Sequence, residues 1–301
     1  MVDRTVETPD GRVLRVLETG KRDGAPVFVL HGMPGCRLGP HPRFLLLHHL
    51  GVRLIAYDRP GYGGSTRLPL RRVEHAAADV AIIADRLGLE RFCVVGRSGG
   101  APHALACAAR LPDPVERAAA LVSFAPRDAR GLDWYAGMTD SNDEAYRIAE
   151  TGIREIERHL EGVAGGGSAD YGTLLDGLWP ELQPSDRRVV GDNGTRLGLE
   201  QAYAEALRNG SGGRADDVRS LVEGWGFDPA EITVPTLLWH GERDVFSPVG
   251  HTEWLAGRIP GAVNVIEPDA AHFSAMDALV NVVLPWFTSD SRTPRLRSAG
   301  A

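Results

Sequence analysis

Ser98 stands in Gly96-Arg97-Ser98-Gly99-Gly100, the only Gly-x-Ser-x-Gly match in the chain. A serine hydroxyl becomes an effective nucleophile when a base takes its proton, and the base needs a third group to orient it. The context of Ser98 suits such a role. An apolar strand is expected over Phe92 to Val95 and a helix from about Ala101 to Arg110. A sharp turn between them would lift the hydroxyl clear of the sheet edge. Glycines two before and two after the serine let the backbone crowd without clashing Cβ atoms. The helix start also presents free N–H groups close by.

The partners follow from position. Among ten histidines, His272 follows the last expected strand and opens the last helix, so it emerges at the same sheet edge as Ser98. It is the candidate base. Asp244 follows the strand expected over Thr233 to Trp239 and is the candidate acid, holding the imidazole in the required tautomer. Asp128, after the strand expected near Ala119 to Phe124, is the second choice for that role. The turn His31-Gly32-Met33-Pro34-Gly35 follows another strand end. The N–H groups of Met33 and Gly99 are therefore the candidate donors to a developing oxyanion. His31 and His240 sit in His-Gly turns that suit structural hydrogen bonds, and His103 is expected to pack beneath the site.

Other chemistries find little support. Schiff-base chemistry would have to use Lys21, the only lysine, which lies in a polar turn. The three cysteines, Cys36, Cys93 and Cys107, show no CxxC spacing, and no HExxH occurs, so no disulfide framework, metal or cofactor is assigned. Cys93 reads as a buried structural thiol. A net charge of −7 offers no basic footprint for nucleic acid and argues against an anionic membrane surface. The first residues lack the apolar core of a signal peptide, and no apolar run is long enough to span a bilayer. The expected compartment is the cytoplasm.

These residues need a scaffold that brings several strand ends together. Strand and helix signals alternate over residues 1–127 and again over 229–288, which predicts an α/β core. Its expected form is a mostly parallel sheet of about eight strands with helices on both faces. Residues 128–228 hold no convincing strand. They read as a helical cap inserted between the sixth and seventh strands, too long to be a loop. Ser141-x-x-Glu144 is a capping-box pattern within it, Gly165 to Ser168 a flexible break, and Leu197 to Arg208 a helix. Trp134, Tyr135, Tyr171 and Trp179 are cap aromatics that could wall a pocket or pack the cap onto the sheet. The stretch 289–301 is a polar tail.

The pattern resembles the α/β-hydrolase superfamily. The resemblance rests on His31-Gly32-Met33-Pro34-Gly35, Tyr57-Asp58-Arg59-Pro60-Gly61-Tyr62-Gly63-Gly64-Ser65, Gly96-Arg97-Ser98-Gly99-Gly100, His240-Gly241-x-x-Asp244 with Pro248, and Asp269-Ala270-Ala271-His272. Ala271 departs from the glycine that relatives often carry there. The order Ser, Asp, His along the chain is that of the superfamily. The resemblance implies a serine hydrolase working through an acyl-enzyme on a small ester, thioester, lactone or amide, with a small-molecule substrate and no cofactor. It carries no signature of oligomeric state. Epoxide hydrolases and haloalkane dehalogenases bear aspartate where this chain has Ser98. An aminopeptidase of the proline iminopeptidase type remains as an alternative, and would need cap carboxylates such as Asp143, Glu144 or Glu150 to bind a free amine. A non-catalytic small-molecule binder on the same fold is the other alternative.

Overall fold

A computed structural model describes residues 1–163, 171–291 and 293, with backbone alone at 171–173. Eight strands form one sheet: β1 (Val2–Glu7), β2 (Val13–Gly20), β3 (Ala25–Leu30), β4 (Val52–Tyr57), β5 (Phe92–Arg97), β6 (Val115–Leu121), β7 (Thr236–Gly241) and β8 (Val263–Glu267). Their spatial order is β1-β2-β4-β3-β5-β6-β7-β8. The β1–β2 and β2–β4 pairs are antiparallel, and the other five pairings are parallel.

The central strands are largely apolar because both faces are covered, with charged residues such as Arg53 and Glu116 towards their ends. Within each strand, alternate residues point to opposite sides. Phe28, Leu30, Ile55, Val94 and Leu238 face one side, where they meet helices α2 (His75–Leu87) and α3 (Ala101–Arg110). Val27, Leu54, Cys93, Val95 and Trp239 face the other, against α1 (Phe44–His49) and the C-terminal segment around Val283 and Trp286. All three cysteines are free and buried. Burial pushes the Cys36 and Cys93 thiols up to about 12, as befits packing residues.

Between β6 and β7 lie α4 (Asp140–Thr151), α5 (Ile153–Val163), α6 (Tyr171–Leu178), α7 (Pro184–Val190), α8 (Asn193–Ala206) and α9 (Gly212–Val222), with no strand among the described residues. The last stretch carries α10 (Gly250–Arg258), α11 (Ala275–Ala278) and α12 (Leu284–Phe287). The insertion is built in two parts. Tyr146, Ile156 and Leu160 of α4 and α5, with Val218 and Leu221 of α9, join the core that contains α2 and α3. Leu175, Val190, Leu199 and Tyr203 of α6 to α8 form a separate cluster with Phe246 and Phe273 of the core loops.

Several local expectations change. β1 gives no apolar signal, because it is an edge strand held by backbone pairing with only Val6 buried. β7 begins at Thr236 rather than Thr233, just after Pro235, which has no N–H to donate to a ladder. β6 ends at Leu121, because Val122 turns to a φ of 46°. The cap of α4 is Thr139, which accepts from the Asn142 N–H at 3.3 Å, while the Ser141 hydroxyl donates to Glu181 at 2.7 Å. α8 starts at Asn193, because the Asp192 side chain caps it by accepting from Thr195 N–H at 2.9 Å. The last helix, expected to open at His272, is broken by a wide π turn at Leu279–Val283, next to Pro285. The glycine-rich break at Gly165 to Ser168 lies outside the described residues, as does most of the 289–301 tail. No helix among the described residues is long and apolar enough to cross a membrane.

One insertion helix is joined to the core by charge. Asp217 of α9 is fully buried and meets Arg59 Nη2 at 2.6 Å, Arg71 Nη1 at 2.5 Å and the Tyr62 hydroxyl at 2.8 Å. Gly213 lets the α9 backbone lie directly on Gly61, so close that a Cβ there would be 2.9 Å from the Tyr62 nitrogen. Burial alone would raise the Asp217 carboxyl, but Arg59 and Arg71 hold it far below the usual carboxylate range. We expect Asp217→Asn to lower stability by about 3–5 kcal/mol, because it leaves two buried guanidiniums without their counter-ion. Urea unfolding followed by circular dichroism measures this, and an unchanged midpoint would contradict it.

Candidate functional site

Ser98 sits where β5 turns into α3, in a short 3-10 turn (Ser98–Gly100), with a φ of 53°. That left-handed conformation is costly for a residue with a side chain and persists only when its surroundings impose it. The neighbours do so by close approach. A Cβ on Gly96 would collide with the Gly100 carbonyl, and a Cβ on Gly100 would collide with the carbonyls of Leu30 and His31. The two glycines therefore allow the tight turn that strains the serine.

His272 and Asp244 come together from the loops after β8 and β7. His272 Nδ1 lies 2.7 Å from Asp244 Oδ2, which leaves Nε2 for the pocket. Asp244 is fixed further by the N–H groups of Phe246 and Ser247, at 2.8 and 3.1 Å on Oδ1, and His240 Nε2 lies 3.3 Å from Oδ2. Burial works against its charge, but His272 and His240 outweigh burial and hold the carboxyl well below its ordinary value. The Ser247 hydroxyl donates to the Val122 carbonyl at 2.8 Å and sits 3.2 Å from Asp244 Oδ2. Asp128, the second choice for the acid, is exposed and lines a different depression beside Trp254.

Ser98 and His272 line one pocket of about 80 Å³ with Gly32, Met33 and Pro34. Its remaining walls include Arg97, Tyr146, Tyr203, Arg214, Phe246 and Phe273. A larger cavity of about 320 Å³ adjoins it at Arg97 and Tyr203 but contains neither Ser98 nor His272. Trp134 stacks on Phe124 behind the pocket, Tyr135 packs against Arg127 and Arg147, and Trp179 is partly exposed. The Tyr171 side chain lies outside the described residues. Asp143 pairs with Arg147, and Glu150 with Arg127 and Tyr135. Neither these two nor Glu144 lines the pocket.

Met33 and Gly99 abut: a Cβ on Gly99 would be 3.0 Å from Met33 Cβ and 3.9 Å from Met33 N. Both loops hang from the Asp217 cluster, which the motifs did not reveal. Arg59 donates through Nη1 to the His31 carbonyl and through Nη2 to the Gly32 carbonyl at 3.3 Å. His31 Nε2 accepts from Arg59 N–H at 3.1 Å. Arg71 Nη1 lies 3.4 Å from His103 Nε2, and His103 Nδ1 donates to the Gly99 carbonyl at 2.8 Å. A second insertion carboxylate, Asp186 of α7, accepts from the N–H groups of His272 at 3.2 Å and Phe273 at 2.7 Å. Asp217 lies about 120 residues from Ser98 along the chain, with no spacing signal that marks it.

A family model for the alpha/beta hydrolase fold matches residues 25–279. The chain belongs to the α/β-hydrolase fold family. Two curated relatives are pimeloyl-[acyl-carrier protein] methyl ester esterases. The one from Nitrosomonas europaea is 30% identical over 78% of this chain and 90% of its own. The one from Chromobacterium violaceum is 30% identical over 83% and 87%. Among solved structures, an esterase from Exiguobacterium antarcticum superposes with a TM-score of 0.70 at 21% identity, covering 96% of this chain and 100% of its own. The enol-lactonase from Burkholderia xenovorans LB400 superposes at 0.69 with 20% identity, covering 95% and 100%. At that identity the two structures speak for the fold alone.

The buried histidines around the site carry a pH signature. Burial, with the Arg59 charge adding to it, pushes His103 down to about 3. Burial also pushes His251, which accepts from Ala125 N–H at 3.2 Å, down to about 3. Both are neutral when folded and take up a proton near pH 6.5 when unfolded. The unfolded state thus binds more protons below that value, and stability falls as pH drops from about 6.5 towards 3. We expect the melting temperature to decline between about pH 6.5 and 5, before carboxylates contribute, and His103→Gln to make that decline shallower. Calorimetry across this range checks it; a flat profile in the wild type would contradict the neutral assignments.

Proposed function

We propose that the protein is a serine hydrolase of small carboxylic esters, with Ser98 as nucleophile, His272 as base and Asp244 as the orienting acid. The observation that carries this reading is the 2.7 Å contact between His272 Nδ1 and Asp244, in a histidine whose other face shares a pocket with the strained Ser98. With Nδ1–H donated to the carboxylate, Nε2 is unprotonated and can accept the Ser98 proton as Oγ attacks the ester carbonyl. Asp244 then stabilises the imidazolium. The N–H groups of Met33 and Gly99 receive the oxyanion, and the carbonyls of their loops are tied back by Arg59 and His103, so little reorganisation is needed. Collapse expels the alcohol with the proton from His272. Water, activated by the same nitrogen, releases the acid from the acyl-enzyme.

The helical insertion acts in this reading as a cap, since Tyr146, Leu178, Tyr203 and Arg214 of α4, α6, α8 and α9 close the pocket over Ser98. Relatives named as methyl ester esterases support an ester as the bond cleaved. The aminopeptidase reading loses its support, because no carboxylate lines the pocket among the described residues to receive an amine.

A fluorophosphonate probe should label Ser98 in the wild type and fail to label Ser98→Ala. With a turned-over 4-nitrophenyl ester, Ser98→Ala and His272→Ala should each lose about 10⁴–10⁶-fold in kcat, and the double variant should lose no more than either. Asp244→Asn should cost about 10³–10⁴-fold by favouring the wrong imidazole tautomer. A Ser98→Ala enzyme that keeps most of its activity would overturn the mechanism.

A further inference from the structure

Arginine is abundant in this chain, and most of those drawn inward elsewhere meet carboxylates, although the half-buried Arg117 rests on the Trp286 carbonyl and ring instead. Arg37 pairs with Asp3, Asp58 and Glu205, Arg12 with Asp79, and Arg59 and Arg71 share Asp217. Two half-buried arginines of the active pocket break the pattern. Arg97, between Gly96 and Ser98, and Arg214, on α9, have no carboxylate partner among the described residues. Arg214 Nε and Arg97 Nη1 are buried without a hydrogen-bond partner, and so is the hydroxyl of Tyr146 on the same pocket wall.

Nearby acids are already engaged. Asp216 and Asp217, two and three residues after Arg214, are turned to Arg67, Arg59, Arg71 and Tyr62. Asp186 and Asp244 are held by the His272 loop. Arg97 rests over the Phe273 ring at 5.7 Å, which accounts for its stem and face but not for its bare Nη1. Burial lowers the pKa of both guanidiniums, the direction for a cation without a counter-ion, whereas carboxylates raise those of Arg37 and Arg67. Arginine nonetheless stays charged in proteins. Unpaired cations and unsatisfied donors inside a protein are costly, and each calls for an explanation.

From this convergence of Arg97, Arg214 and Tyr146 on the pocket of Ser98, we infer that the substrate is an ester bearing a carboxylate, whose oxygens pair with these side chains. Guanidinium forks match a carboxylate in charge and in plane, and a phenol can donate a further bond. The small pocket, about 80 Å³, favours a short spacer between the carboxylate and the ester carbon. This inference rests on the hydrolase reading and adds to it the charge class of the substrate.

The test compares two pairs of esters. One pair places the carboxylate on the acyl side, mono-4-nitrophenyl glutarate against 4-nitrophenyl valerate. The other places it on the alcohol side, 3-carboxyphenyl butyrate against phenyl butyrate. In the wild type, kcat/KM should favour the charged member of at least one pair by about ten- to a hundredfold, the range of a charge-assisted hydrogen bond. Arg214→Gln should bring that ratio close to one, and Arg214→Lys should keep part of it. Arg243→Gln, a surface variant paired with Asp269 away from the pocket, should leave the ratio as it was. Melting temperatures separate loss of preference from loss of fold, and the two Arg214 variants allow for one failing to fold. Fluorophosphonate labelling of Ser98 reports on the hydrolase reading separately. Labelling with no charged-ester preference in either pair, or a preference that survives Arg214→Gln, overturns the carboxylate inference and leaves the hydrolase standing. Absence of labelling removes the hydrolase reading itself.

Discussion

The buried contact of Asp217 with Arg59 and Arg71 is the interaction on which the site depends most. One fully buried carboxylate bridges two buried guanidiniums, so it cannot be exchanged for solvent contacts without a large penalty. Each arginine then reaches a different half of the site. Arg59 holds the carbonyls of His31 and Gly32, and Arg71 reaches Gly99 through His103. The two backbone segments proposed to receive an oxyanion are thus positioned from one point. That point belongs to a helix of the insertion rather than to the sheet.

The insertion is in this sense a scaffold as much as a cover. Asp217 secures the turns after β3 and β5, and Asp186 secures the loop that carries His272. Both are carboxylates whose oxygens accept from fixed donors, so they constrain direction as well as distance. The proposed active site is assembled where core loops and insertion helices meet. A change in the insertion can therefore alter catalysis by moving backbone N–H groups, without touching substrate.

The electrostatics follow from the same arrangement. Two arginines around a single Asp217 leave local positive charge behind the turn after β3, and Arg97 and Arg214 add more at the pocket wall. Such a field favours a developing oxyanion and an anionic substrate alike. The α/β-hydrolase fold serves several chemistries. The residue at the strained turn and the charges around it separate such chemistries, because the fold alone does not choose among them.

The sequence by itself determined those parts that depend on short-range rules. Ser98 between Gly96 and Gly100, the His31-Gly32 turn, and the apolar runs of β3, β5 and β7 are local patterns, in which a few neighbouring residues impose the conformation. The placement of Asp244 and His272 just past strand ends was also legible, because parallel strands deliver their C-terminal ends to one edge. Tertiary structure decided the rest. β1 was hidden because an edge strand needs backbone partners rather than an apolar face. Thr139 displaced Ser141 as the cap of α4 because Glu181, distant in sequence, engages the serine. The pocket walls became Tyr146, Tyr203 and Arg214 rather than Trp134 or Tyr135 because helix packing, not composition, sets which face looks inward. Asp217 carries the same lesson: nothing near it in the chain marks it, and its importance arises only when folding brings two arginines to its oxygens out of water.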